Sequence, residues 1–148
     1  MTILNVFALS ALLSLPLPPT EPIEKAFLQN SPEILADILT QSGDIPVSFP
    51  EPLLFADQLS PEQAYLVFKR IFSVYKTTEF FITPGLTTFP GRPGGILKAR
   101  WSFEDQKTGK PYPVRVFFYL KPEALHPSPG PGPQVSVLKI VEIRAERL

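Results

Sequence analysis

The chain has no cysteine and a single histidine, His126. The first absence excludes disulfides, thiol catalysis and thiolate metal sites; the second excludes a multi-histidine zinc centre. Asp and Glu form no clustered loop of the kind that holds calcium or magnesium, so no metal and no cofactor is expected. An excess of charge is missing too: 14 Lys plus Arg balance 14 Asp plus Glu. Zero net charge gives no overall attraction to nucleic acid or to an anionic membrane, although a local patch stays open. No apolar run reaches the ~20 residues of a membrane-spanning helix. There is no G-x-S-x-G nucleophile elbow. "GRPGG" at 91–95 lacks the G-K-[ST] and the following helix of a phosphate loop.

What is present is an apolar, proline-rich chain of single-domain size. Its 148 residues are 44% hydrophobic and include 12 Phe and 19 Pro, enough apolar surface for a core and too much for a disordered chain. The opening "MTILNVFALSALLSLPLPPTEP" holds an apolar run, Ile3 to Leu15, with no charge before Glu21. About 13 residues is the length of a signal-peptide core. No Lys or Arg precedes the run and no clean A-x-A site follows it, which leaves a buried N-terminal helix as the alternative. Pro16, Pro18 and Pro19 end the run abruptly and favour export. Residues 1–20 therefore read as a signal peptide or N-terminal hydrophobic segment and 21–148 as one domain. The expected location is periplasmic or extracellular, with no stable membrane span in the mature chain and, lacking a lipobox cysteine, no lipid anchor.

Hydrophobic period orders the rest. "TEPIEKAFLQN" predicts a helix with Thr20 as N-cap and Ile23, Ala26 and Phe27 on one stripe. "SPEILADILT" restarts it, with Ser31 as cap, Pro32 at the first helical position, and Ile34, Leu35, Ile38 and Leu39 on one side. This is two short helices, or one broken at Ser31-Pro32. Ile45, Val47 and Phe49 alternate as in a strand, which Pro46 should confine to an edge or an irregular position. "EPLLFADQ" reads as a second short extended piece. "SPEQAYLVFKRIFSVYK" is the clearest helix: Ser60 and Gln63 make a capping box, and Ala64, Val67, Phe68, Ile71, Phe72 and Tyr75 recur at helical spacing. From Lys76 the period becomes 2. "TTEFFITP", "ILKARWSFED", "YPVRVFFYLK" and "QVSVLKIVEIRAER" read as strands, the last with a phase slip near Leu138 that predicts a bulge. "HPSPGPGP", with His126, joins the last two as a long hairpin loop. Helices grouped before strands argue for an α+β fold with helices on one face of an antiparallel sheet.

The segments "IEKAFLQNSPEILADIL", "IPVSFP", "SPEQAYLVFKRIFSVY", "VRVFFYL" and "VEIRAER", spanning Ile23 to Arg147, resemble the nuclear transport factor two-like (cystatin-like) superfamily. Within it they resemble most a family of small secreted bacterial proteins of unknown function. The resemblance implies helices packed on the concave face of a strongly bent antiparallel sheet, a cone. It implies no established activity.

Enzymes of this superfamily place Asp, His or Tyr inside the cone, as a base and oxyanion donors. Here the inward faces read Leu97, Ala99, Trp101, Phe103 and Val114, Val116, Phe118, Leu120, with no ionisable group among them. Tyr65 and Tyr75 read as core rings whose hydroxyls reach solvent, with a functional hydroxyl near the mouth as the alternative, and Asp44 and Asp57 read as turn or capping residues. His126 is the remaining base, but a Pro-Gly loop does not hold a base still, so it reads as an incidental surface residue. The outward faces put Arg100, Arg115, Phe117, Tyr119 and Lys121 together, a mixture suited to a protein interface. Nucleic acid is not expected there, given zero net charge and export. The resemblance implies a homodimer through this face. The leading expectation is thus a non-catalytic binding domain. An apolar small molecule would sit in a pocket lined by Tyr65, Phe68, Phe72, Trp101, Phe103, Val116 and Phe118, and the sheet would self-associate. An isomerase- or hydrolase-like enzyme using Tyr and Asp is the alternative, and a cone packed shut without ligand is a third.

Overall fold

In the computed structural model, which describes residues 16–125 and 135–148, the alternating segments become long strands whose apolar sides form one continuous wall. The elements run α1 (Thr20–Leu28), α2 (Pro32–Ile38), β1 (Ile45–Phe49), β2 (Phe55–Leu59), α3 (Pro61–Val74), β3 (Tyr75–Ile82), β4 (Gly95–Asp105), β5 (Pro111–Ala124) and β6 (Ser136–Arg147). The strands form one sheet in the order β2-β1-β6-β5-β4-β3. The three helices cover its inner face, giving an α+β fold. The N-terminal run Ile3 to Leu15 and the His126 loop lie outside the described residues. Among the described residues no helix is long and apolar enough to cross a membrane.

Local chemistry places the helix ends. Ser60 accepts from the Gln63 N–H while the Gln63 side chain accepts from the Ser60 N–H, so α3 starts with the expected capping box. Ser31 accepts from the Ile34 N–H and starts α2. Thr20 does not cap α1 as expected. It is the first helical residue, and Pro19 stands before it without a side-chain cap bond. The two N-terminal helices are separate. Asn30 takes φ 48° between them, a left-handed conformation that asparagine tolerates better than most residues.

Asn30 also ties this turn to the rest of the molecule. Its amide donates to the carbonyls of Phe72 (3.3 Å) and Tyr75 (2.9 Å), and its oxygen accepts from the Thr77 N–H (3.2 Å). Helix α3 passes into β3 with no intervening loop, so the carbonyls and the N–H freed at that junction need partners. Asn30 supplies them.

Of the two positions expected for β1 from Pro46, an edge or an irregular place in the sheet, the structure shows the second. β1 is not an edge strand: β2 pairs with it antiparallel on one side, and β6 pairs parallel on the other. The parallel contact is confined to Val47 opposite Ile143 and Ser48 opposite Arg144, beginning just past Pro46, whose missing N–H would interrupt a longer ladder. The bulge expected in β6 is real but lies further along. Tyr119 faces Glu142 and Leu120 faces Ile140, which leaves Val141 unpaired. A second irregularity leaves Thr78 of β3 unpaired between Thr77 and Glu79. Each bulge bends its strand and curls the sheet around the helices.

Phe27 of α1 fills the hollow so formed. Its ring is fully buried and stacks on Phe80 at 4.5 Å between centroids. It also meets Trp101, Phe72, Phe118 and Phe68 edge-on at 5.0, 5.6, 5.7 and 6.3 Å. Offset and edge-to-face contacts are the favoured geometries of aromatic pairs. Trp101, equally buried, donates its indole N–H to the Thr77 hydroxyl at 2.9 Å.

Two stability outcomes follow from these two residues. Phe27→Ala should lower the free energy of unfolding in urea by about 3–5 kcal/mol, the usual cost of emptying a buried phenylalanine site. Asn30→Ala should cost roughly 2–3 kcal/mol, from the unpartnered junction groups and left-handed strain together. Asn30→Gly should recover roughly 1 kcal/mol of that by relieving the strain alone. Equal losses for the two Asn30 variants would show that backbone strain contributes nothing here.

Candidate functional site

Six of the seven expected pocket residues, Phe68, Phe72, Trp101, Phe103, Val116 and Phe118, lie together in the core. Their rings meet one another and Phe27: Trp101 and Phe103 are 4.3 Å apart, and Phe68 and Phe72 are 5.8 Å apart. Among the described residues the only buried polar side chains are Thr40 and Thr77. The seventh, Tyr65, turns away from the core to the helix surface, where its hydroxyl donates to the Glu33 carboxylate at 3.0 Å. That bond holds the Tyr65 hydroxyl above its ordinary pKa, while the Glu33 carboxyl is held low by its own backbone bond first and by Tyr65 second.

Tyr75 is half-buried against Phe103 and Tyr112, with ring centroids at 5.2 and 6.3 Å. Burial raises its pKa, with smaller contributions from the Asp105 charge and from Tyr112. Asp57 is exposed on β2, where its carboxylate accepts from the Gln58 N–H. Tyr65, Tyr75 and Asp57 thus have separate partners. Among the described residues no group of His, Asp or Glu is placed to hold a metal ion.

Two of the open grooves that the described residues form outside the core border Tyr75 and Asp44. One, of ≈ 380 Å³, runs between α3 and the β1–β2 hairpin and is mostly apolar, lined among others by Leu53, Phe55, Val67, Ile71 and Tyr75. The other, of ≈ 770 Å³, lies over the β5–β6 bulge and is mixed in character, lined among others by Asp44, Phe89, Arg92, Tyr119, Lys121 and Glu142. One wall of the second groove depends on Gly94. At φ 94° it lets the segment before β4 lie directly against β5, and any added Cβ would overlap the Leu120 carbonyl oxygen. The opposite wall depends on Glu123, whose carboxylate accepts from the nearly buried Thr40 hydroxyl at 2.6 Å. Ser42 adds its hydroxyl at 2.9 Å from that of Thr40.

The outer face of the sheet brings together the four expected interface residues. Arg100 of β4 faces Arg115 of β5, with Phe81 of β3 beyond Arg100 and Glu146 of β6 beyond Arg115. In the next row Lys98 faces Phe117 and Phe117 faces Arg144. In the row after that Tyr119 lies between Ile96 and Glu142. Lys98 and Arg144 were not singled out in the sequence, yet the alternation that exposes Arg100 also exposes Lys98. What was missing was the register that sets both beside Phe117.

Solved structures share this arrangement. A DUF4783 family protein from Bacteroides ovatus superposes with a TM-score of 0.55 at 13% identity, over 89% of this chain and 96% of that one. A ketosteroid isomerase-like protein from Erwinia carotovora atroseptica gives 0.60 at 12% identity, over 84% and 86%. An NTF2-like protein of unknown function in nutrient uptake from Rhodospirillum rubrum gives 0.58 at 12% identity, over 86% and 93%. No family model and no curated protein matches the sequence. The chain therefore has the nuclear transport factor two-like (NTF2-like) fold, as its sequence pattern implied; at these identities the likeness speaks for the fold alone.

The Thr40–Glu123 brace has a signature in pH. The Thr40 hydroxyl bond, first among several contacts, holds the Glu123 carboxyl below its ordinary value; burial opposes it, and bonds from Ser42 and the Gln41 backbone and the charge of Lys139 assist. A lowered folded-state pKa means stability that is present above the unfolded value, about 4.3, and lost as pH falls through the folded value. Glu123→Gln should therefore cost about 1 kcal/mol near neutral pH and progressively less below about pH 4. A variant whose deficit stays constant across that range would assign the brace no ionic component.

Proposed function

We propose that this chain is a non-catalytic binding domain that works through the outside of its sheet, with a cone closed by its own side chains. The observation that supports this reading is the position of Phe27. Its ring stands where a ligand of the cone would stand, touching Phe68, Phe72, Trp101 and Phe118 of the expected pocket lining. An apolar ligand would have to displace a stacked ring and recover its contacts, which means replacing several kcal/mol of burial before any affinity remains.

The isomerase-like reading draws on the names of structural neighbours. It needs a base and a polarising donor facing a shared space. Tyr65 is committed to Glu33 on the helix surface, and the Thr77 hydroxyl, which accepts from the Trp101 indole, is buried within the packed core. The geometry favours the binding reading over that one. Export, to which the proline-terminated opening run points, is compatible with either.

Trp101, the one tryptophan of the chain, reports on the interior directly because it touches Phe27. Titrating the full chain with anilinonaphthalene sulfonate should leave Trp101 emission unchanged, and native mass spectrometry should show the protein mass alone. Saturable quenching of Trp101 at one probe per chain, or an apolar molecule that co-purifies, would overturn the closed-cone reading.

A further inference from the structure

The outer face violates a rule of sheet chemistry. Arg100 and Arg115 are directly opposed on neighbouring antiparallel strands. Like charges in that relation destabilise a sheet. Arg144 and Lys98 flank Phe117 in the adjoining row, so four cations surround one half-buried ring. One is neutralised: Arg115 pairs with Glu146 at 3.4 Å, with both side chains about half exposed (50% and 49%). Among the described residues Lys98, Arg100 and Arg144 make no ion pair. The segments outside the described residues contain no Asp or Glu that could supply one. Elsewhere on the sheet the same conflict is relieved. Lys121 also opposes a lysine, Lys139, but Lys139 donates its ammonium to the Asp37 carbonyl near the end of α2.

We infer that this face docks an acidic segment of a partner protein. The partner's carboxylates would meet Lys98, Arg100 and Arg144, and an apolar side chain would lie against Phe117 and Phe81, the latter 46% exposed. The inference rests on the reading that the domain works through this face. Charge complementarity selects the partner. A second copy related by a two-fold axis through Phe117 would set the same four cations against themselves, an arrangement that costs energy on both sides. A nucleic acid backbone crossing the patch would run its phosphates past Glu142 and Glu146 of β6, on a chain with no net positive charge. An acidic peptide whose carboxylates are spaced by uncharged residues can set those carboxylates against Lys98, Arg100 and Arg144 and turn its uncharged positions toward Glu142 and Glu146, a choice that the evenly charged phosphate backbone lacks.

The test uses the full chain and a fluorescein-labelled synthetic peptide of repeated Glu-Ser-Phe-Ser units, which when extended presents Glu and Phe on one face, followed by anisotropy. Binding should saturate and weaken as salt is raised, because exposed charges drive it. Arg100→Glu with Arg144→Glu should weaken it about tenfold or more. Lys25→Glu, exposed on α1 on the far side of the fold, should not weaken it. Glu146→Gln, which releases Arg115 from its partner, should strengthen binding about two- to threefold, a gain that a misfolded variant does not give. In the anisotropy assay, three results would overturn the proposal: no binding, equal binding by the Arg100/Arg144 variant, or preference for oligothymidine over the peptide. Sedimentation showing a dimer that the same variant dissociates would overturn it in favour of a second copy. Absence of peptide binding with an inert Trp101 would remove the acidic partner only, whereas a ligand-responsive Trp101 would remove the closed-cone reading beneath it.

Discussion

Everything in this structure is arranged around the ring of Phe27. A sheet bent by two bulges encloses a volume, and a volume enclosed by protein has to be filled by something. In this fold it is filled from α1. Phe27 can reach the centre because Ile23 and Ala26 keep the rest of the helix stripe apolar and close to β3. Asn30 then ends the helix in the one backbone conformation that sends the chain back into α2. The two are coupled. If Asn30 did not hold the α3–β3 junction, the helix carrying Phe27 would lose its anchor at that end.

Filling the interior has consequences for where chemistry is possible. Ionisable groups displaced from a packed aromatic core are left to the helix surface, the grooves and the outer sheet face. Tyr65 illustrates this. Its helical phase is close to that of the core residues, yet its hydroxyl is better served by Glu33 than by a dry interior. The groove over the β5–β6 bulge and the cationic row beside it are also products of the bend. Val141 drops out of the ladder there, which keeps Arg144 and Glu142 on the outer face while Ile140 and Ile143 point inward.

The alternation of Leu97, Ala99, Trp101 and Phe103, and of Val114, Val116, Phe118 and Leu120, was legible in the sequence because each strand is buried on one side only. The start of α3 was legible for a different reason: a capping box is written within four consecutive residues. What could not be read depended on distant pairing. Asn30 looks like an ordinary turn residue until the junction more than forty positions later lies beside it. Pro46 pointed to an edge or an irregular position, and only the short parallel contact with β6 shows which, and how an internal strand tolerates it. The bulge was announced by the phase slip, but its position was settled by Tyr119 and Leu120 across the strand pair, which a single strand's pattern does not contain. Six of the seven expected pocket residues are neighbours in the core, and Tyr65 stands apart on the helix surface. Whether neighbours line a space or fill it depends on a residue from another element, here Phe27.

The same distinction governs the outer face. Sequence alternation showed that Arg100 and Arg115 would be exposed, and exposure alone is unremarkable for arginine. Register adds the physical content, because it makes the two side chains direct opposites around a hydrophobic ring. A core pays for itself through burial, so its residues need no outside partner to be explained. A row of like charges has no such internal return. The strands could have alternated sign, as Arg115 and Glu146 do, at no cost to the wall of apolar residues behind them. The departure from that simpler solution lies on the broad surface of the sheet that, among the described residues, the helices leave uncovered. On the proposed reading, that is where a domain with a filled interior has room to bind.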